Sequence, residues 1–309
     1  MDSTISKSKL FCLLWLTHLL IGCATDNTDA VSVTANDGSA DGQWVRIPSD
    51  SEQAAEIKYF GFVDITLDEE ADSQFFEAGF ARFDRTIPLS EILSNFKQPA
   101  IDSCDFRQQE PGDSTALEFR DELDFREYSY EFVGAGDSVK VVSGGRSYAN
   151  LTRTSTNPAD AVQYETDVGS LPVTIGGLKL GNLLLKTRAL RVSAPGDVFP
   201  AFSGVVMPPI DEVKQFKPNR SKRISADTQF RWRQGRYSSD PEVRVQIEAG
   251  GGGKAIFCAA ADDGRFTIPE ATKALMQDVS IPGPSAYRDA VWFYLRKDAV
   301  LILTQSSYY

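Results

Sequence analysis

One histidine occurs in the 309 residues, His18, and it lies inside an apolar N-terminal segment. Residues 19–309 therefore cannot build Ser-His-Asp or Cys-His nucleophilic sites, or histidine-based metal sites. Cysteine is nearly as scarce. Cys12 and Cys23 sit near the N-terminus, which leaves Cys104 and Cys258 for the folded part. Two thiols alone make neither a zinc finger nor an iron–sulfur site. A phosphate-binding loop needs Gly and Ser or Thr where Glu248 and Ala255 stand, so the glycine run 250–253 reads as a hairpin turn. Asp37, Ser39, Asp41 and Gly42 begin like a calcium loop, but its twelfth position is Pro48 instead of Glu. No metal and no cofactor are expected. Positive charge is in deficit: 32 Lys and Arg against 43 Asp and Glu give a net charge of −11. That balance opposes non-specific binding to nucleic acid or anionic lipid. Carboxylate pairs, Ser–Lys dyads and oxygen-only metal sites are the chemistries left open.

Lys7 and Lys9 precede a mostly apolar run over 10–21, which closes on Leu20-Ile21-Gly22-Cys23. The run is shorter than the ~20 residues a membrane-spanning helix takes. It resembles the signal peptide and lipobox of bacterial lipoproteins. The resemblance implies a diacylglycerol on Cys23, cleavage before it, and acylation of the new amine by a fatty acid such as palmitate. Two or three acyl chains on Cys23 suffice for stable membrane anchoring. Loss of residues 1–22, with Lys7, Lys9 and Asp2, takes the net charge from −11 to −12. By the same resemblance, Ala24 after the cysteine points to the outer membrane. In a single-membrane bacterium the anchor lies in the outer face of the plasma membrane. Gly22 and Ala24 also satisfy the small-x-small rule, so an ordinary signal peptide cut after Ala24 is the alternative. Residues 23–43 follow as the acylated cysteine and a polar tether without aromatics. Such a segment cannot bury enough surface to fold, and about 20 residues span roughly 25 Å on average.

The remainder reads as mainly β: two β-sandwich-like domains after a disordered, lipid-anchored tether. The first domain is 44–209, with aromatic-rich strands over 57–63 and 75–83 and short strands over 139–142, 189–192 and 202–207. One helix over 89–96 follows Pro88. Residues 210–223 carry Pro218 among Lys214, Lys217, Arg220, Lys222 and Arg223, and read as a basic interdomain connection. The second domain is 224–309. Phe230 and Trp232 alternate there with Arg231 and Arg233, which gives one apolar and one charged face. Further strands cover 243–247, 256–260, 266–268, 290–295 and 300–303, with a short helix over 269–276 after Pro269. This rhythm resembles immunoglobulin-like and fibronectin-type sandwiches in pattern only, without the Cys…Trp…Cys spacing of antibody domains. An outer-membrane barrel is excluded, because alternating strands of about 10 residues are not sustained.

Cys104 and Cys258 form an even pair, which an oxidising compartment permits to bond. Two buried, reduced thiols are the other reading. Glu122, Asp124 and Glu127 resemble the E-x-D-x-x-E signature of laminarinase-type glycoside hydrolases. That resemblance implies Glu122 as nucleophile, Asp124 as helper and Glu127 as acid/base. The surrounding 118–131 is charged throughout and reads as a solvated strand or loop. Lys214, Lys217, Arg220, Lys222 and Arg223, with Arg231, Arg233 and Arg236, are the one basic concentration in an acidic chain. They suit either an anionic ligand or a solvated surface. Trp44, Trp232 and Trp292 are available as a sugar-stacking platform, Trp44 being the freest and the other two reading as core. The expected role is non-enzymatic: a binding or structural module of the cell envelope with a protein or glycan partner. The alternatives are a polysaccharide-binding module and a carboxylate glycosidase.

Overall fold

The computed structural model describes residues 43–68, 73–95, 100–108, 128–143, 146–153, 163–166, 174–175, 178–179, 189–236, 238–251 and 253–308. The chain is mainly β. Its strands are β1 (Val45–Ile47), β2 (Glu56–Asp68), β3 (Ser73–Pro88), β4 (Ser103–Gln108), β5 (Tyr130–Phe132), β6 (Ser138–Ser143), β7 (Arg146–Arg153), β8 (Gln163–Thr166), β9 (Thr174–Ile175), β10 (Leu178–Lys179), β11 (Leu190–Ala194), β12 (Phe202–Met207), β13 (Lys214–Lys217), β14 (Arg223–Ile224), β15 (Gln229–Arg233), β16 (Val243–Gly251), β17 (Lys254–Ala261), β18 (Arg265–Thr267), β19 (Ile281–Pro282), β20 (Ser285–Arg296) and β21 (Ala299–Tyr308). Two helices, Leu89–Asn95 and Glu270–Leu275, stand among the described residues, close to the spans the sequence predicts.

The large sheet runs β12-β11-β6-β7-β8-β3-β2-β21-β20-β16-β17-β4, with β1 added to β20 and β5 to β3. Its pairs are antiparallel except at the centre, where β2 and β21 run parallel from Tyr59 opposite Ala299 to Asp68 opposite Tyr308. The sequence makes this centre by continuous apolar runs, because strands buried on both faces lose the polar alternation. Ala290, Trp292, Tyr294, Leu301 and Leu303 face one core. Val291, Phe293, Leu295, Val300 and Ile302 face another, which the helix Leu89–Asn95 closes with Ile92 and Leu93. Two glycines let rings lie flat across β2 and β3. A Cβ on Gly61 would stand 2.7 Å from Phe80 and 2.9 Å from Phe199, and one on Gly79 would stand 2.5 Å from Phe62.

A third core is sandwiched between β16–β17 and a small sheet ordered β13-β15-β18. Val245, Ile247 and Ile256 pack there against Phe230, Trp232 and Phe266. Residues Ser39–Tyr309 form one compact unit. Residues from both sides of the expected connection at 210–223 build the first and second cores, and strands from both sides share the large sheet. The connection is itself structured: Ile210 and Val213 are buried, and 214–217 form β13.

Candidate functional site: a cationic sheet face

The β13-β15-β18 sheet divides its two faces by strand alternation. Burial along β15 alternates strictly, with Phe230 and Trp232 inside and Gln229, Arg231 and Arg233 outside. Beneath the sheet, Phe216 stacks on Phe230 at 5.9 Å, and Phe230 stacks on Phe266 at 6.2 Å. Above it, the register sets Lys217 opposite Arg231 and Arg231 opposite Arg265, so three cations lie in one cross-strand row. Lys214 and Arg233 form a second pair further along. At about 4.8 Å between strands the row spans roughly 10 Å. Glu212 holds Lys214 at 2.6 Å, and Asp263 approaches Arg265 only to 3.9 Å. Lys217, Arg231 and Arg233 make no ion pair among the described residues.

A buried junction fixes this small sheet in place. Arg288 of β20 lies between Ala286, in the third core, and Ala290, in the first. Its Nε and Nη2 donate to the two oxygens of Asp262 at 2.9 and 3.1 Å. Nη2 also donates to the Arg233 carbonyl at 2.7 Å. Nη1 donates to the carbonyls of Asp211, at 3.0 Å, and Glu212. Asp262 in turn accepts Trp232 Nε1 at 2.8 Å and the Gly235 amide at 3.0 Å. The approach to β13 and the end of β15 are therefore clamped by one guanidinium. A planar five-donor fork suits this role where a lysine point charge would not.

Beside the row lies a groove of about 830 Å³, lined by Lys214 and Arg220 and by Val213, Phe216 and Pro284 among others. Of the basic residues singled out in the sequence, Lys214 and Arg220 line this groove and Lys217 joins the row. Lys222 is exposed, and its amide closes a turn on Asn219. Arg223 has a local structural role, since its Nε donates to Ser280 Oγ at 2.8 Å. Arg265 was not among the sequence candidates. Its signal was the Asp263-Gly264 turn before it, which returns the chain beside β15.

Compared with known proteins, the chain matches no family model, no curated protein and no solved structure. The remaining candidates are therefore placed by geometry alone. Cys104 and Cys258 face each other in the β4–β17 register and are disulfide-bonded, with Cα atoms 4.0 Å apart. The tryptophans assemble no platform. Trp44 is half-buried, stacks on Phe199 at 5.9 Å and donates to the Ala201 carbonyl. Trp292 is buried in the first core, and Trp232 in the third with its N–H on Asp262. Cys23, Glu122, Asp124 and Glu127 lie outside the described residues. Among the described residues, one carboxyl away from the cationic face is perturbed. Asp64 of β2 accepts hydroxyl hydrogen bonds from Thr66, at 2.9 Å, and from Thr304. Burial nevertheless pushes it above its ordinary value.

Proposed function

We propose that the protein is an outer-membrane lipoprotein, held through Cys23, whose folded body is a non-enzymatic binding or assembly module. Its contact surface on this reading is the face carrying Lys217, Arg231, Arg233 and Arg265. The observation that carries the proposal is that register. Like charges set directly opposite one another destabilise a sheet, and here they recur in a chain of net charge −11. A surface serving only solubility gains nothing from concentrating its scarce cations in one row. A contact surface for an anionic partner does.

A photocrosslinker at exposed Gln229, two residues from Arg231 on the same face, tests this in intact cells. Adducts with envelope components should form, and Lys217→Glu/Arg231→Glu should abolish them. Cys23→Ala should abolish them as well, by releasing the body from the membrane. Unchanged adducts in the charge-reversed variant would remove the face as a contact surface. Unchanged adducts with Cys23→Ala would remove the anchor from the mechanism.

A further inference from the structure

We infer that the cationic face docks on the phosphate headgroups of the anchoring membrane itself, so that the tethered body lies down on one defined side. The inference rests on the lipoprotein reading and names the ligand of that surface: a planar array of lipid-borne phosphates.

Three features favour this ligand. First, Lys217, Arg231, Arg233 and Arg265 stand on an open sheet face, and Lys214 alone of this array lines the neighbouring groove. Lys217, Arg231 and Arg265 form one row, and Lys214 and Arg233 lie two residues further along β15. The face therefore offers positive charge over roughly 10 by 7 Å, a shape that meets a plane better than an enclosed anion. Second, the supporting layer is rigid. The Phe216, Phe230 and Phe266 stack lies beneath the cations, and Arg288 holds the backbone of Glu212 and Arg233. Little ordering remains to be done on contact. Third, the strength suits a second signal. A basic residue close to an anionic surface favours contact about fivefold at physiological salt, so three unpaired cations favour it roughly 100-fold. That is too weak to hold a free protein and ample to orient a tethered one. The acidity of the rest of the body does not prevent this. Charges beyond a Debye length of about 8 Å from the contact are largely screened.

Vesicle flotation tests the inference, using the mature protein, residues 23–309, with Cys23→Ser so that neither an acyl chain nor the apolar run over 10–21 contributes. Partition onto phosphatidylcholine vesicles containing phosphatidylglycerol should exceed partition onto phosphatidylcholine alone by roughly 100-fold, and should fall as salt is raised. Arg231→Gln should lower it about fivefold, and Lys217→Gln/Arg231→Gln/Arg233→Gln should bring it to the neutral-vesicle value. Lys140→Gln makes the same charge change on exposed β6 and should leave partition unchanged. Equal binding to both vesicle types, equal loss with Lys140→Gln, or binding to soluble polyphosphate without binding to vesicles would overturn the inference. Mass measurement of Cys23 in the natural protein separates the two readings. An unacylated Cys23 with face-dependent partition ends the anchor alone. An acylated Cys23 without face-dependent partition ends the docking alone.

Discussion

Replacing Arg288 with methionine should destabilise the protein by about 3–5 kcal/mol, although the side chain touches no ligand. The magnitude follows from what the substitution leaves behind. Arg288 is 1% exposed, and the side chain of Asp262 is 0% exposed. Methionine fills similar volume but strands the Asp262 charge, and the carbonyls of Asp211, Glu212 and Arg233 lose their donor. For a domain of this size each kcal/mol lowers the melting temperature by about 2–4 °C, so the shift should be roughly 6–20 °C. Circular dichroism during urea unfolding measures the loss. Arg288→Lys should recover little, because one ammonium cannot reproduce the fork. Arg288→Met/Asp262→Asn should be more stable than Arg288→Met alone. It removes the stranded charge while keeping an acceptor for Trp232. If Arg288→Met unfolds within about 1 kcal/mol of the parent, or the double variant is the less stable, then this reasoning about a stranded charge is refuted.

Cys104 and Cys258 are 154 residues apart, and on the chain-entropy account their bond contributes about 5 kcal/mol. Cys104→Ala/Cys258→Ala should melt well below the parent, and reductant should shift only the parent. Gly61→Ala should cost about 2–3 kcal/mol because its neighbours Phe80 and Phe199 are buried. Gly79→Ala should cost less, because the half-buried Phe62 can swing away; the reverse ranking in urea titrations would contradict the packing argument. Asp64 should make stability fall as pH rises. Its folded pKa is raised above 3.8, so the folded state holds the proton more tightly and stability is lost as pH climbs through the folded pKa. Asp64→Asn should gain on the parent between pH 4 and 7, and an equal difference at both ends would exclude this linkage.

Local order was legible in the sequence wherever one physical signal dominated. The alternation of Phe230 and Trp232 with Arg231 and Arg233 set β15 and its charged face. Pro88 and Pro269 marked the two helix starts. The cysteine pair remained open, because bonding needs β4 to lie beside β17 and nothing near Cys104 says so. The cationic row was half visible. The basic residues around β13 and β15 stood out, but Arg265 joins them only through the β15–β18 register. Arg288 was not visible at all. It precedes the strand that the sequence predicts over 290–295 but lies within β20, and nothing in its neighbours marks a guanidinium that will be buried. Trp44 looked free because the segment before it is polar, whereas Phe199 and Ala201, about 155 residues away, hold it.

The parallel pairing of β2 with β21 joins residues 240 positions apart, from Tyr59 with Ala299 onward. Strand β2 is made early, yet it keeps an open edge until residues 299–308 arrive. Leu301 and Leu303 complete one core and Val300 and Ile302 another, so neither can finish sooner. Contacts this distant in sequence also form slowly. In a nascent chain built this way two of the three cores wait for the last strand, and only the third is complete by Ala286. The strand that closes the sheet therefore also sets the time at which the first two cores can form.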